Sequence, residues 1–151
     1  MEPETFPEEL ADALVGLQRL IRRRLRRELP DPPLRGAEVE LLRLVMERPG
    51  IGISDAAKEL YLAGNSVSTL VNQLVRAGYL VRETDPADRR AARLRPTPAA
   101  ETRLREWRGR RADLVRRQVA RLDDADREAL RVAVPALRQL AVTLHEEAED
   151  A

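Results

Sequence analysis

Six uncharged polar side chains, Asn65, Ser66, Ser68, Thr69, Asn72 and Gln73, crowd into nine residues that hold no carboxylate and no lysine. Amides and hydroxyls of this kind donate and accept hydrogen bonds without carrying charge, which suits the donor and acceptor patterns of base edges in a duplex major groove. Asn72 and Gln73 each match the two-point contact that adenine accepts, while Ser66, Ser68 and Thr69 suit backbone phosphate oxygens. Ser54 and Asn65 complete the expected set on this side. A second cluster, Asp88-Arg89-Arg90, sits in a turn-rich segment. Its guanidiniums suit a narrow minor groove, whose negative potential attracts cations without a base code. Asp88 is expected to hold one of these arginines in a fixed rotamer through paired hydrogen bonds. A merely solvated polar face is the plainer alternative, but such faces are usually rich in Glu and Lys.

Positioning these groups requires particular elements. Val67, Leu70, Val71 and Leu74 recur at i, i+3, i+4 and i+7, which predicts a helix from about Asn65 to Ala77, closed by Gly78. Before it, Ser54 caps a short helix through about Tyr61 with Ala56, Ala57 and Leu60 inward, and Leu62-Ala63-Gly64 makes the turn. After it the period changes. Tyr79–Glu83 is β-prone, Thr84–Ala91 is polar and turn-rich, and Ala92–Arg95 alternates, so a two-stranded hairpin with a long, arginine-bearing tip is predicted.

The flanks read as helices. Thr5-Phe6-Pro7-Glu8 has capping-box form and opens a helix to Leu29 with Leu10, Leu14, Leu17, Leu20 and Ile21 on one stripe, broken at Pro30-Asp31-Pro32-Pro33. A second helix runs from about Gly36 to Arg48 with Val39, Leu41, Leu42, Val45 and Met46 inward, and Ile51-Gly52-Ile53 fits a single edge strand. Thr97-Pro98 starts a long helix carrying Leu104, Trp107, Leu114, Val115, Val119 and Leu122. Asp123 with Asp126 opens a last one carrying Leu130, Val134, Leu137, Leu140 and Leu144. Pro135 predicts a kink near Arg131 or a later start of that helix, and the acidic run Glu146–Asp150 reads as a frayed tail.

The 151 residues amount to about one domain. At 43% hydrophobic and 35% charged the chain reads as soluble and globular, neither membrane-embedded nor disordered. With no Cys, thiol nucleophiles, disulfides and thiolate metal sites are excluded, and the single His145 has no partner set for a metal, so no metal or cofactor is expected. Seven Gly form no phosphate loop, and no nucleophile stands beside a base, which argues against an enzyme. The N-terminus has neither a basic nor an apolar signal segment, making the cytoplasm the expected location. The net charge of +1 hides an uneven distribution, because twelve arginines face six acids between Arg82 and Arg117. A GC-rich genome also writes arginine in place of lysine, and Lys58 is the one lysine, so position rather than number carries the signal.

Two short helices, a tight turn and an arginine-tipped hairpin follow the order of a winged helix-turn-helix. The runs Pro49–Ser68 and Leu70–Arg82, the motif Asp85-Pro86-Ala87-Asp88-Arg89-Arg90-Ala91 and the following Thr97-Pro98-Ala99 resemble the MarR family of bacterial transcription regulators. The resemblance implies a mainly α fold with a small β-hairpin wing. A winged lobe would span 35–96, and a helical dimerisation region would be built from 1–34 and 97–151. It also implies an obligate homodimer on double-stranded DNA with a pseudo-palindromic operator, acting as a repressor. A small, often phenolic effector would enter the cleft between dimer helices and lobe. Trp107 is expected in the dimer core rather than against a ligand. Pro96 and Ala100 depart from the family pattern and predict a different exit angle from the hairpin. The rival reading is a winged-helix module that binds another protein and not DNA; two tip arginines speak against it.

Overall fold

The computed structural model describes residues 5–28 and 34–149; the predicted Pro30–Pro33 break and Asp150 lie outside them. Two compact units emerge, residues 1–111 and 112–151. In the first, α1 (Phe6–Glu28) starts directly after Thr5 with Pro7 in its first turn, where a missing N–H goes unmissed. Leu25 is buried, whereas Leu14, Val15, Leu17 and Leu20 are exposed along the helix. Helix α2 (Gly36–Glu47) is more deeply enclosed than its predicted stripe, because Leu44 joins Leu41, Leu42 and Val45 in the interior.

The lobe that carries the polar face follows. Helices α3 (Ile53–Leu60) and α4 (Gly64–Arg76) precede strands β1 (Leu80–Thr84) and β2 (Ala92–Pro96), which pair antiparallel with Leu80 opposite Pro96 and Thr84 opposite Ala92. Leu41, Leu42, Val45, Val67, Val71, Leu74, Leu80 and Leu94 are almost wholly removed from solvent and form one core with Ala56, Ala100 and Leu104. Each such aliphatic contributes about 1.5–3 kcal/mol on burial, so the core holds helices and hairpin as a single piece. The expected edge strand at Ile51–Ile53 is reduced to a bridge between Gly52 and Arg93. It is flanked by Gly50 N–H donating to Leu94 (2.7 Å) and Leu94 N–H donating to Ile51 (2.9 Å). Ile53 already belongs to α3, so the segment covers the free edge of β2 and goes no further.

Two helix ends set the geometry. Gly78 follows α4 at φ +81°, with its N–H donating to Val75 and that of Tyr79 to Leu74, the double closure that a left-handed residue permits. At the end of α3 the same pair of bonds, Tyr61 to Lys58 and Leu62 to Ala57, is made with Tyr61 at φ 53°. There a tyrosine occupies a glycine's conformation. Thr97 then ties hairpin to helix end, its Oγ1 donating to the Gly78 carbonyl (2.6 Å) while its N–H donates to Tyr79 (3.1 Å). The Ala100 methyl is fully buried in the core.

Helix α5 (Pro98–Val119) continues into the second unit, which also holds α6 (Asp124–Glu149). Asp123 Oδ1 accepts from Asp126 N–H (2.8 Å), the predicted cap. Helix α6 starts there and runs through Pro135, which excludes a later start, and it continues to Glu149, so Glu146–Glu149 of the acidic run are helical rather than frayed. Leu130, Val132, Val134, Val142 and Leu144 are exposed on it.

Candidate nucleic-acid interface

With Val67, Val71 and Leu74 of α4 in the core, a turn of about 100° per residue places Asn65, Thr69, Asn72 and Arg76 on the opposite face. Ser68 falls on one shoulder, Ser66 and Gln73 on the other. Asn65, Ser66, Thr69, Asn72 and Arg76 are exposed; Ser68 and Gln73 are half-buried. The helix starts at Gly64, one residue before its predicted start, and its N-cap Ala63 makes no side-chain bond. Asn65 Oδ1 accepts from Ser66 N–H (2.8 Å) and its carbonyl accepts from Thr69 Oγ1 (3.0 Å), so the Thr69 proton is spent inside the helix and only its lone pairs remain.

Three expectations change. Ser54 does not cap α3: the N-cap is Gly52, without a side-chain bond, and Ser54 lies exposed in the first turn, because the chain enters the helix one residue after the bridge to β2. Asn72 does not stand free for a two-point adenine contact, since its Oδ1 accepts from Arg82 Nη2 at 2.5 Å. Gln73 is likewise turned inward, with Oε1 buried and, among the described residues, unpartnered.

The wing tip is built from two successive side-chain-to-backbone closures. Asp85 Oδ1 accepts from Ala87 N–H (3.0 Å) and Asp88 Oδ1 from Arg90 N–H (2.9 Å), while Asp85 N–H donates to Ala91 and Ala91 N–H to Asp88. Asp88 therefore orders the backbone that displays the arginines and does not clamp a guanidinium. The carboxylate that does is Asp85, 3.3 Å from Arg93 Nε. Hydrogen bonding from Ala87 and then from Arg93 holds the Asp85 carboxyl below the usual carboxylate range. Glu83 neutralises Arg95 at 2.6 Å. Arg89 and Arg90 are exposed and, among the described residues, have no carboxylate partner. The wing thus consumes two of its cations internally and leaves the two at its tip available.

A second feature of the first unit was not foreseen from sequence. A cavity of about 320 Å³ is lined by Arg22, Arg26, Arg43, Arg111 and Trp107, with Glu40 the one carboxylate among its lining residues. The guanidinium carbons of Arg43 and Arg111 lie 4.9 and 4.6 Å from the Trp107 ring centroid, within the range of cation–π attraction. Arg43 Nε and Nη2 are buried and, among the described residues, have no hydrogen-bond partner. Burial, followed by the charges of Arg111 and Arg108, pulls its pKa below the ordinary arginine value against Glu40 and Glu47. Trp107, expected in a dimer core, lines this cavity within one chain. The available signal was Arg43 itself, a cation inside the apolar stretch Leu41–Val45.

Two helices joined by a tight turn, sharing a core with a hairpin whose tip stands free, define a winged helix-turn-helix. Comparison with known proteins agrees. The MarR family profile matches residues 33–91. A protein of Thauera aromatica described as a transcriptional regulatory protein for the hcr operon is 35% identical over 94 residues, 60% of this chain and 54% of its own length, so the match spans about half of that relative. Among solved structures, a transcriptional regulator of Pseudomonas aeruginosa is 28% identical with a TM-score of 0.74, over 92% of this chain and 98% of its own. Streptococcus pneumoniae FabT, solved in complex with DNA, shares the fold at 20% identity and a TM-score of 0.68, over 93% and 98%. The fold is a winged helix-turn-helix, mainly α with a hairpin wing, and its residues 33–91 match the MarR family profile.

Proposed function

We propose that this chain is a sequence-specific DNA-binding transcriptional regulator, a dimeric repressor rather than an enzyme, that grips duplex DNA with α4 and the wing. The observation that carries this reading is the contrast within the wing: Arg93 and Arg95 are neutralised by Asp85 and Glu83, whereas Arg89 and Arg90 are held out on an ordered tip without a carboxylate partner among the described residues. Two uncompensated guanidiniums on an ordered tip suit a narrow duplex groove, whose negative potential favours them. The DNA complex of FabT, on the same fold, supports the reading. The residues proposed to touch DNA are Ser54, Asn65, Ser66, Ser68, Thr69, Asn72, Arg89 and Arg90, with Asp88 shaping the tip.

A homodimer is supported by the exposed aliphatics of α1 and, separately, of α6, a density that monomers rarely leave open to water. The helical parts 1–34 and 97–151 would form the dimer and 35–96 the DNA lobe. No described helix is long and apolar enough to cross a membrane. The cavity is proposed as the effector site. Four arginines, one of them buried with unmet donors beside an indole, suit a small anion with a flat apolar body, whose negative group would satisfy Arg43. The test is a mobility shift on the DNA upstream of the gene, read across salt, with the mass in solution measured by light scattering. A dimer forming a steeply salt-sensitive complex at submicromolar protein is expected. A monomer, or a protein that ignores duplex DNA at micromolar concentration, overturns the proposal.

A further inference from the structure

The contact between Arg82 and Asn72 links wing to recognition helix. Side chains alternate along β1, so Arg82 shares the face of Leu80, which is buried at 1% exposure. Two residues further on, Arg82 stands opposite the buried Leu94 but is itself exposed, and its guanidinium reaches the exposed side of α4 and not its buried side. The carboxylates near it in sequence are not available. Glu83 and Asp85 lie on the other face and are occupied by Arg95 and Arg93. Arg82 therefore turns to a neutral acceptor, donating from Nη2 to Asn72 Oδ1 at 2.5 Å.

The chemistry of the pair removes an ambiguity that an isolated asparagine would have. A guanidinium carries donors and no acceptor, so the amide atom it meets must be the oxygen, and Nδ2 is left on the other side. A charged donor on the oxygen also draws electron density from the amide and strengthens the remaining N–H donors. An exposed Asn otherwise samples several rotamers and both flips, and ordering them costs affinity when a ligand binds.

We infer that Arg82 is a positioning residue for base readout. By holding Oδ1 it fixes the rotamer and flip of Asn72, which then presents Nδ2 as a donor to a base edge bearing an acceptor (purine N7, guanine O6 or thymine O4) and disfavours cytosine, whose edge offers only a donor there. The inference rests on the DNA-binding reading above and adds which atom does the reading and what aims it.

The experiment selects bound duplexes from a randomised pool with wild type, Asn72→Ala, Arg82→Met, Arg82→Lys and the double variant Asn72→Ala/Arg82→Met. Wild type is expected to disfavour cytosine at one position of each half-site. Asn72→Ala should flatten that preference by roughly 5- to 150-fold, the range of one amide–base contact. Arg82→Met should flatten the same position and add nothing in the Asn72→Ala background, and Arg82→Lys, which keeps a donor, should restore part of it. In the free protein, the ¹⁵N side-chain amide signals of Asn72 should move in Arg82→Met and stay close to wild type in Arg82→Lys. The inference is overturned if Arg82→Met leaves that position's preference intact while weakening all sequences equally and lowering the salt slope by about one, the signature of a phosphate contact. Unmoved Asn72 amide signals in Arg82→Met would overturn it as well. A wild type that forms no salt-sensitive complex removes the DNA reading and this inference together, whereas an intact, salt-sensitive complex with Arg82 uncoupled from Asn72 removes the inference alone.

Discussion

Replacing Arg89 and Arg90 together by alanine separates the available cations of the wing from its neutralised ones. Both guanidiniums are exposed and without a carboxylate partner among the described residues, so removing them takes away charge that nothing else compensates. Each cation that displaces condensed counterions contributes about 0.9 to the slope of log affinity against log salt. One wing then loses about 1.8 and the two wings of a dimer about 3.6. Over a fourfold rise in salt, from about 50 to about 200 mM, wild-type affinity should fall about 150-fold more than that of the double variant. Arg93→Ala or Arg95→Ala removes a charge already matched by Asp85 or Glu83, and should change the slope by well under one unit per wing. Fluorescence anisotropy on a labelled operator duplex at five or so salt concentrations measures all of this, with circular dichroism to confirm that the tip variants remain folded. An unchanged slope in Arg89→Ala/Arg90→Ala, or an equal fall in Arg93→Ala, would refute the assignment of the tip arginines to DNA.

The two left-handed positions should respond in opposite directions to thermal melting. At Gly78 an added Cβ meets nothing within 4 Å, so Gly78→Ala carries only the backbone penalty of φ +81° and should destabilise by about 1 kcal/mol. Tyr61→Gly relieves the same penalty at φ 53° and should be neutral to stabilising by about 1 kcal/mol. The Asp85 carboxyl is depressed by Ala87 N–H and Arg93. The order it gives the tip should therefore be complete above the ordinary aspartate value of about 3.9 and disappear as pH falls below it through the depressed one. The Ala87 amide shift, followed by NMR on acidification, should show a midpoint below that of a free aspartate; a midpoint at or above it would exclude the bond.

Much of the architecture could be read from spacing. The period of four apolar residues on α4, Gly78 at its end and the switch to alternation at Tyr79 locate the helix and hairpin to within a residue or two, because each depends on local geometry and burial on one face. The cap at Asp123 was legible for the same reason. Ser54 misled, since a serine before an apolar stripe resembles a cap unless the bridge from Gly52 to Arg93 is known, and that bridge joins residues far apart in the chain.

What sequence determined by itself is the inventory and the order: a neutral polar helix face with an aliphatic back, two arginines in a turn, and the family pattern that joins them. Only the tertiary structure decided which of those groups are available. Arg82 reached Asn72, Asp85 and not Asp88 claimed an arginine, Gln73 turned inward, and Arg43 came to lie with Arg111 over Trp107 in a cavity. The physical reason is range: helix and strand periodicity is set by neighbours a few residues away, whereas pairing of a charge or an amide depends on which partners the packed core brings within about 3 Å.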